Sequence, residues 1–122
     1  MQVVIDDDIS RARDLMRPFI ALYVGGMGSR ERNFYNQLVR RYGFEDEAES
    51  IQELYLDGKK DEAAAAIPPE LIDLVTMCGP RERVRERLDV YRDSGVGTLI
   101  ASVMTPDVEA RRRTVRELAE ML

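Results

Sequence analysis

No histidine occurs anywhere in the 122 residues of this chain, no tryptophan either, and cysteine occurs once, at Cys78. Without histidine, Ser-His-Asp and Cys-His nucleophilic catalysis are excluded, together with the common zinc sites. A carboxylate-only metal site would remain, but the acidic residues stand where helix faces and caps would put them, so no metal is expected. A lone cysteine permits no internal disulfide, which suits a reducing compartment. With no imidazole to lower its pKa, Cys78 reads as a small buried apolar residue rather than a nucleophile. No apolar run approaches the ~20 residues that span a bilayer, and no basic, apolar, small-residue start marks a signal peptide. A cytoplasmic address with no membrane contact is therefore expected. Eighteen basic residues face twenty-three acidic ones, a net charge of −5, which argues against a nucleic-acid-binding face. Arg111-Arg112-Arg113 fan around a helix and read as a solvated surface.

The rest of the composition is that of a soluble globular chain of one-domain length, 44% apolar and 34% charged. Gln2-Val3-Val4-Ile5 is a β-branched run closed by Asp6-Asp7-Asp8, a strand end followed by a helix start. Ile9, Ala12, Met16, Phe19, Ile20 and Tyr23 keep helical spacing, and Pro18 inside that pattern predicts a kink or restart. Gly25 to Gly28 stop this helix. Ser29 is the expected N-cap of a second one, striped by Phe34, Tyr35, Leu38, Val39 and Tyr42 and ended by Gly43. Tyr35, Tyr42 and Tyr55 are assigned to helix packing. A third helix is expected over 46–56, a short alanine-rich one over 60–66, and another opened by Pro69.

Leu74 to Cys78 fits a short strand before Gly79-Pro80. Val84, Leu88 and Tyr91 stripe a helix that ends at Gly95. The run VGTLIASVM, 96–104, is apolar almost throughout, the pattern of a strand buried on both faces. Thr105-Pro106-Asp107 then opens a last helix, with Thr105 as its cap and Val108, Val115, Leu118, Ala119 and Leu122 as its apolar side.

Strand, helices, weak strand, helix, strong strand, helix is the alternation of a parallel α/β fold. Two or three short strands cannot bury the run at 96–104. The economical account is a fragment, the last three units of a (β/α)₈ barrel whose other strands precede residue 1. Either that missing N-terminal segment or a second chain would complete the sheet. On this account the isolated chain melts broadly and with weak cooperativity.

Three stretches carry a resemblance to a known family: QVVIDDDISRARDLMRPFIALYVGGMGSRERNFYNQLVRRYGF, PPELIDLVTMCGPRERVRERL and DSGVGTLIASV. The chain resembles the C-terminal part of the luciferase-like flavin-dependent oxidoreductases, especially those using the deazaflavin coenzyme F420. The string YVGGMGSRERNFY carries most of that likeness. The resemblance implies the C-terminal portion of a (β/α)₈ TIM barrel, helix-rich with two or three short parallel strands, residues 1–122 forming part of one barrel domain. It also implies hydride transfer between F420 or FMN and a small organic substrate, with oxygen activation (a monooxygenase) open to the flavin-using members. Most of the cofactor site would lie outside this chain, so no activity of the chain alone is expected. Two other classes stay open: a stand-alone α-rich regulatory or assembly module that dimerises through 96–104, and an unrelated barrel enzyme.

Barrel enzymes place function at the C-terminal ends of strands. The candidate pocket-rim residues are therefore Asp6, Gly79, Arg81 and Ser102. Helix capping is the competing role for Asp6, a plain turn for Gly79 and Arg81, and a satisfied core serine for Ser102. The cluster GGMG fits neither phosphate motif. A dinucleotide fingerprint follows a strand, and a Walker loop needs Gly-Lys-Ser/Thr where Gly28-Ser29-Arg30 stands. A helix–turn–helix joint is the main expectation, with Gly28 and Ser29 as a possible anion contact.

Overall fold

The computed structural model describes residues 1–122. In chain order the elements are β1 (Gln2–Ile5), α1 (Ile9–Ala21), a π-helical turn (Leu22–Gly26), α2 (Phe34–Arg41), α3 (Glu45–Leu56), α4 (Lys60–Ala65), α5 (Pro69–Val75), β2 (Met77–Gly79), α6 (Arg81–Asp93), β3 (Ser102–Val103) and α7 (Val108–Met121). They fall into two compact units, Met1–Met16 with Val75–Leu122, and Arg17–Leu74.

In the first unit a small parallel sheet runs in the order β2-β1-β3. The β-branched residues of β1 favour extended backbone, and Val3 and Val4 are buried there. Val3, Val4 and Ile5 lie opposite Met77, Cys78 and Gly79, while Gln2 and Val3 lie opposite Ser102 and Val103. Val3, Met77, Val84, Leu88 and Met121 form the core, with Met1, Ile5, Tyr91, Leu99 and Leu118 packed around it. Cys78 is buried in β2.

Two expectations fail in this unit. The run 96–104 is not a strand buried on both faces. Only Ser102 and Val103 pair, and they do so on one edge, leaving Val96 exposed and Ile100 79% exposed. Burial on both faces needs layers packed above and below the strand, and the exposure of Val96 and Ile100 shows that they lack them. The last helix is capped by Asp107 rather than Thr105. The Asp107 Oδ2 accepts from the Ala110 amide at 2.7 Å, and a carboxylate also complements the helix dipole. The face of this helix that meets the core carries Thr114, Leu118 and Met121, while Val108, Val115 and Leu122 are exposed.

In the second unit α1 continues unbroken through Pro18 instead of restarting, and loosens into the π-helical turn at Leu22. The cap of α2 is Asn33, not Ser29. Asn33 Oδ1 accepts from the Asn36 amide at 3.0 Å, and its Nδ2 donates to the carbonyls of Tyr23 and Val24, both at 3.0 Å. One side chain thus closes the start of α2 and satisfies two carbonyls that the π-helical turn leaves over. Asn36 adds donations to Val24 O (3.1 Å) and Ala48 O (2.7 Å). That is why α2 buries Asn36 with Val39 and leaves Phe34, Tyr35 and Tyr42 exposed; of the expected stripe Val39 is buried and Leu38 half-buried.

Gly25 and Gly26 are explained by the same region. A Cβ on Gly25 would lie 2.4 Å from the Cβ of Tyr55, and one on Gly26 would lie 2.4 Å from its Cε1. The Tyr55 side chain of α3 therefore covers both glycines, and only residues without a side chain allow that approach. Arg17 closes the C-terminal end of α4 by donating to the carbonyls of Ala64 and Ile67.

Candidate functional site

The C-terminal ends of β1 and β2 lie side by side, joined by the Asp6 amide donating to Gly79 O at 3.0 Å. Two of the expected rim residues, Asp6 and Gly79, are thus adjacent. Asp6 is held from two directions. Its carboxylate accepts from Arg11 Nε at 2.7 Å and Nη2 at 2.6 Å, and also from the Asp8 amide at 2.8 Å. The Arg11 hydrogen bonds hold the Asp6 carboxyl below its ordinary pKa despite partial burial, and Asp6 in turn raises Arg11. Asp8 caps α1 by accepting from the Arg11 amide at 3.1 Å. The acidic triplet therefore combines a helix cap with ion pairs from Arg11 to Asp6 (2.6 Å) and to Asp8 (3.8 Å).

Gly79 has φ +124, a conformation that favours glycine. Its missing Cβ also leaves room for the Arg83 stem, 2.9 Å from where that atom would be. Arg81 opens α6 and reaches Glu120 of α7 at 2.9 Å, which engages its guanidinium away from a ligand. Ser102 does not join the other three. It stands exposed opposite Gln2, at the start of β1, four residues from Asp6, or about 13 Å along a strand.

Gly28 and Ser29 sit in an exposed turn of the second unit. Gly28 has φ +133, and a Cβ there would lie 2.7 Å from Arg32 O. The Arg32 amide donates to Ser29 O at 3.0 Å. Close approach of the turn to its own backbone accounts for this glycine. Arg30 pairs with Glu53 at 3.7 Å.

The residues that sequence reasoning missed are Asn33 and Asn36, which organise the turn between the glycines and α2. The signal was available for Asn33, since asparagine ranks with serine as an N-cap. Asn36 gave none, because a buried asparagine on a short helix looks like a surface residue.

A family model described as luciferase-like monooxygenase matches residues 1–98. The chain belongs to this family. A Mycobacterium tuberculosis protein, provisionally named a coenzyme F420-dependent oxidoreductase, is 36% identical over 121 residues, 99% of this chain and 33% of the relative. The chain thus spans about a third of the length of the curated relative that it matches. No solved structure matches it. The luciferase-like fold is a TIM barrel, and this helix-rich chain with its small parallel sheet is a fragment of it. No helix is long and apolar enough to cross a membrane.

The strand ends do not by themselves fit a flavin or deazaflavin. Asp6, Asp7 and Asp8 cluster at the end of β1, with Asp6 already held by Arg11, so an anionic cofactor would meet carboxylates at that strand end. Arg81 is already paired with Glu120. A hollow of about 390 Å³ is lined by Val108, Arg111, Arg112, Val115 and Arg116, all from the outer side of α7. No chemical step is assigned to a cofactor on these residues.

Proposed function

We propose that residues 1–122 are the C-terminal part of one luciferase-like barrel domain, and that the whole barrel is an F420- or flavin-dependent oxidoreductase of the cytoplasm. The reaction would be hydride transfer between the bound cofactor and a small organic substrate. The observation that carries this reading is the family match over residues 1–98 together with 36% identity to a protein named for coenzyme F420. F420 is the favoured cofactor because the relative carries its name, with FMN as the alternative and oxygen activation the corresponding flavin chemistry. The coverage of only a third of the relative's length supports a cofactor site built mainly from residues outside this chain, and hence a chain inactive alone.

The test is assembly of this chain with the part of the Mycobacterium tuberculosis relative outside the matched third, followed by an assay of hydride transfer to F420 and to FMN. Transfer by the assembly and none by the chain alone is expected. An assembly that reduces neither cofactor with a panel of small alcohol, aldehyde and nicotinamide donors would count against the reading. The exposure of Val96 and Ile100 favours one second reading, a module that completes its sheet with another copy of itself. Sedimentation of the isolated chain distinguishes it: a tight dimer supports the module, a monomer the fragment.

A further inference from the structure

The order β2-β1-β3 is not that of consecutive strands in a barrel. There each strand lies between its predecessor and its successor, so β2 would be central, with β1 and β3 on its two sides. Here β1 is central. Its pairing with β2 is the one a barrel requires, but β3 occupies the other edge of β1, and the far edge of β2 carries no strand. Resting on the fragment reading above, we infer that β3 fills the edge of β1 reserved for the strand that precedes it in the whole barrel. Docking of that strand moves β3 to the free edge of β2.

The β1–β3 contact has the form of a replaceable occupant. It comprises two register pairs, Gln2 with Ser102 and Val3 with Val103. Beyond the ladder itself it is flanked by Met1 N to Ile100 O (2.8 Å), Ser102 N to Met1 O (2.8 Å) and Met104 N to Val3 O (3.0 Å). By contrast β1 and β2 share three register pairs, extended by Asp6 N to Gly79 O. A buried parallel strand cannot leave an edge unpaired without cost, and β3 meets that need for β1. The mismatch shows at 96–101, where the rest of the apolar run stays outside the ladder with Ile100 exposed. Moved beside β2, the whole of 96–104 would have a strand on one side and the barrel's first strand available on the other. The occupant of the β1 edge is thus a short parallel apolar strand from the uncovered two thirds of the protein.

Disulfide trapping tests both placements. Cα atoms of paired strands lie within the 4.4–6.8 Å that a disulfide spans. In a Cys78→Ala background, Gln2→Cys with Ser102→Cys should cross-link within the isolated 122-residue chain. With native Cys78 kept, Ala101→Cys, Ser102→Cys and Val103→Cys, made singly, should not cross-link to it. Assembly with the uncovered part of the Mycobacterium tuberculosis relative should abolish the first cross-link and create one of the second kind. A Cys78 cross-link in the isolated chain, with none between positions 2 and 102, would overturn the inference. So would an assembly in which the 2–102 bond still forms, or failure to assemble at all. An assembly that exchanges strands but binds no F420 or FMN would refute the proposed function and leave this inference standing. One that binds cofactor and keeps the 2–102 bond would do the reverse.

Discussion

Replacing Gly25 by alanine places a methyl carbon 2.4 Å from the Cβ of Tyr55, 2.8 Å from its Cγ and 3.2 Å from Ile51 O. The first and last of these atoms are fixed to the α3 backbone and cannot swing away, so the helix must move. Overpacking of this kind costs about 1–3 kcal/mol, against a gain of roughly 0.5–1 kcal/mol for alanine over glycine in a helical segment. A net loss of about 1–2 kcal/mol is expected. At Gly26 the obstacle is the far end of the Tyr55 ring, Cε1 at 2.4 Å, which can rotate for about 0.5–1.5 kcal/mol. Gly26→Ala should therefore fall within about 0.5 kcal/mol of the parent. The double mutants separate the two cases. Tyr55→Ala keeps the Cβ that blocks position 25 but removes the ring that blocks position 26. It should leave the Gly25→Ala penalty mostly in place, while making Gly26→Ala neutral or stabilising by up to about 1 kcal/mol. Urea unfolding of the full chain, followed by circular dichroism, reads this out as a lowered midpoint for Gly25→Ala beside a near-parent midpoint for Gly26→Ala. Full rescue of Gly25→Ala by Tyr55→Ala, or no penalty at position 25, would refute the close-approach account of the glycine pair.

The caps make a second contrast. Asn33→Ala removes an N-cap and leaves the Tyr23 carbonyl without its donor, and should cost about 2–4 kcal/mol, whereas Ser29→Ala should stay within about 0.5 kcal/mol; equal effects in urea melts would contradict the assignment. Gln52 is buried with its Nε2 unpaired, so Gln52→Leu should raise stability by about 1 kcal/mol, and a lowered melting temperature would count against that view. Arg11 depresses the Asp6 pKa, so this pair's contribution is complete above the ordinary aspartate value near pH 4 and fades as pH falls through the lowered folded value. In Arg11→Gln the Asp6 carboxyl should titrate nearer its ordinary value by carbon NMR; an unchanged titration would show that the arginine is not the cause.

Much of the element order could be read from residues whose effect is local. Pro69 opens α5, Gly43, Gly58 and Gly95 adopt positive φ where helices end, and the valines of β1 are buried as their branching suggests. At α2 a partner from another element decides, since Asn33 outcompetes Ser29 by also reaching Tyr23 O and Val24 O. At the last helix the choice is local, and Asp107 is the residue placed to meet the Ala110 amide. The run 96–104 has the composition of a strand covered on both faces, but only Ser102 and Val103 pair, and Ile100 stays exposed with no layer over it. At the candidate rim, Asp6 and Gly79 came together because both end strands that pair. Ser102 did not, because it pairs with Gln2 at the start of β1 rather than at its end.

The most direct test of the central claim is a fluorescence titration of F420 and FMN, side by side, into the isolated chain and into its assembly with the remaining two thirds of the relative. The account predicts saturable binding by the assembly and none by the chain alone at the same concentrations. Stoichiometric binding by the isolated 122 residues would contradict it.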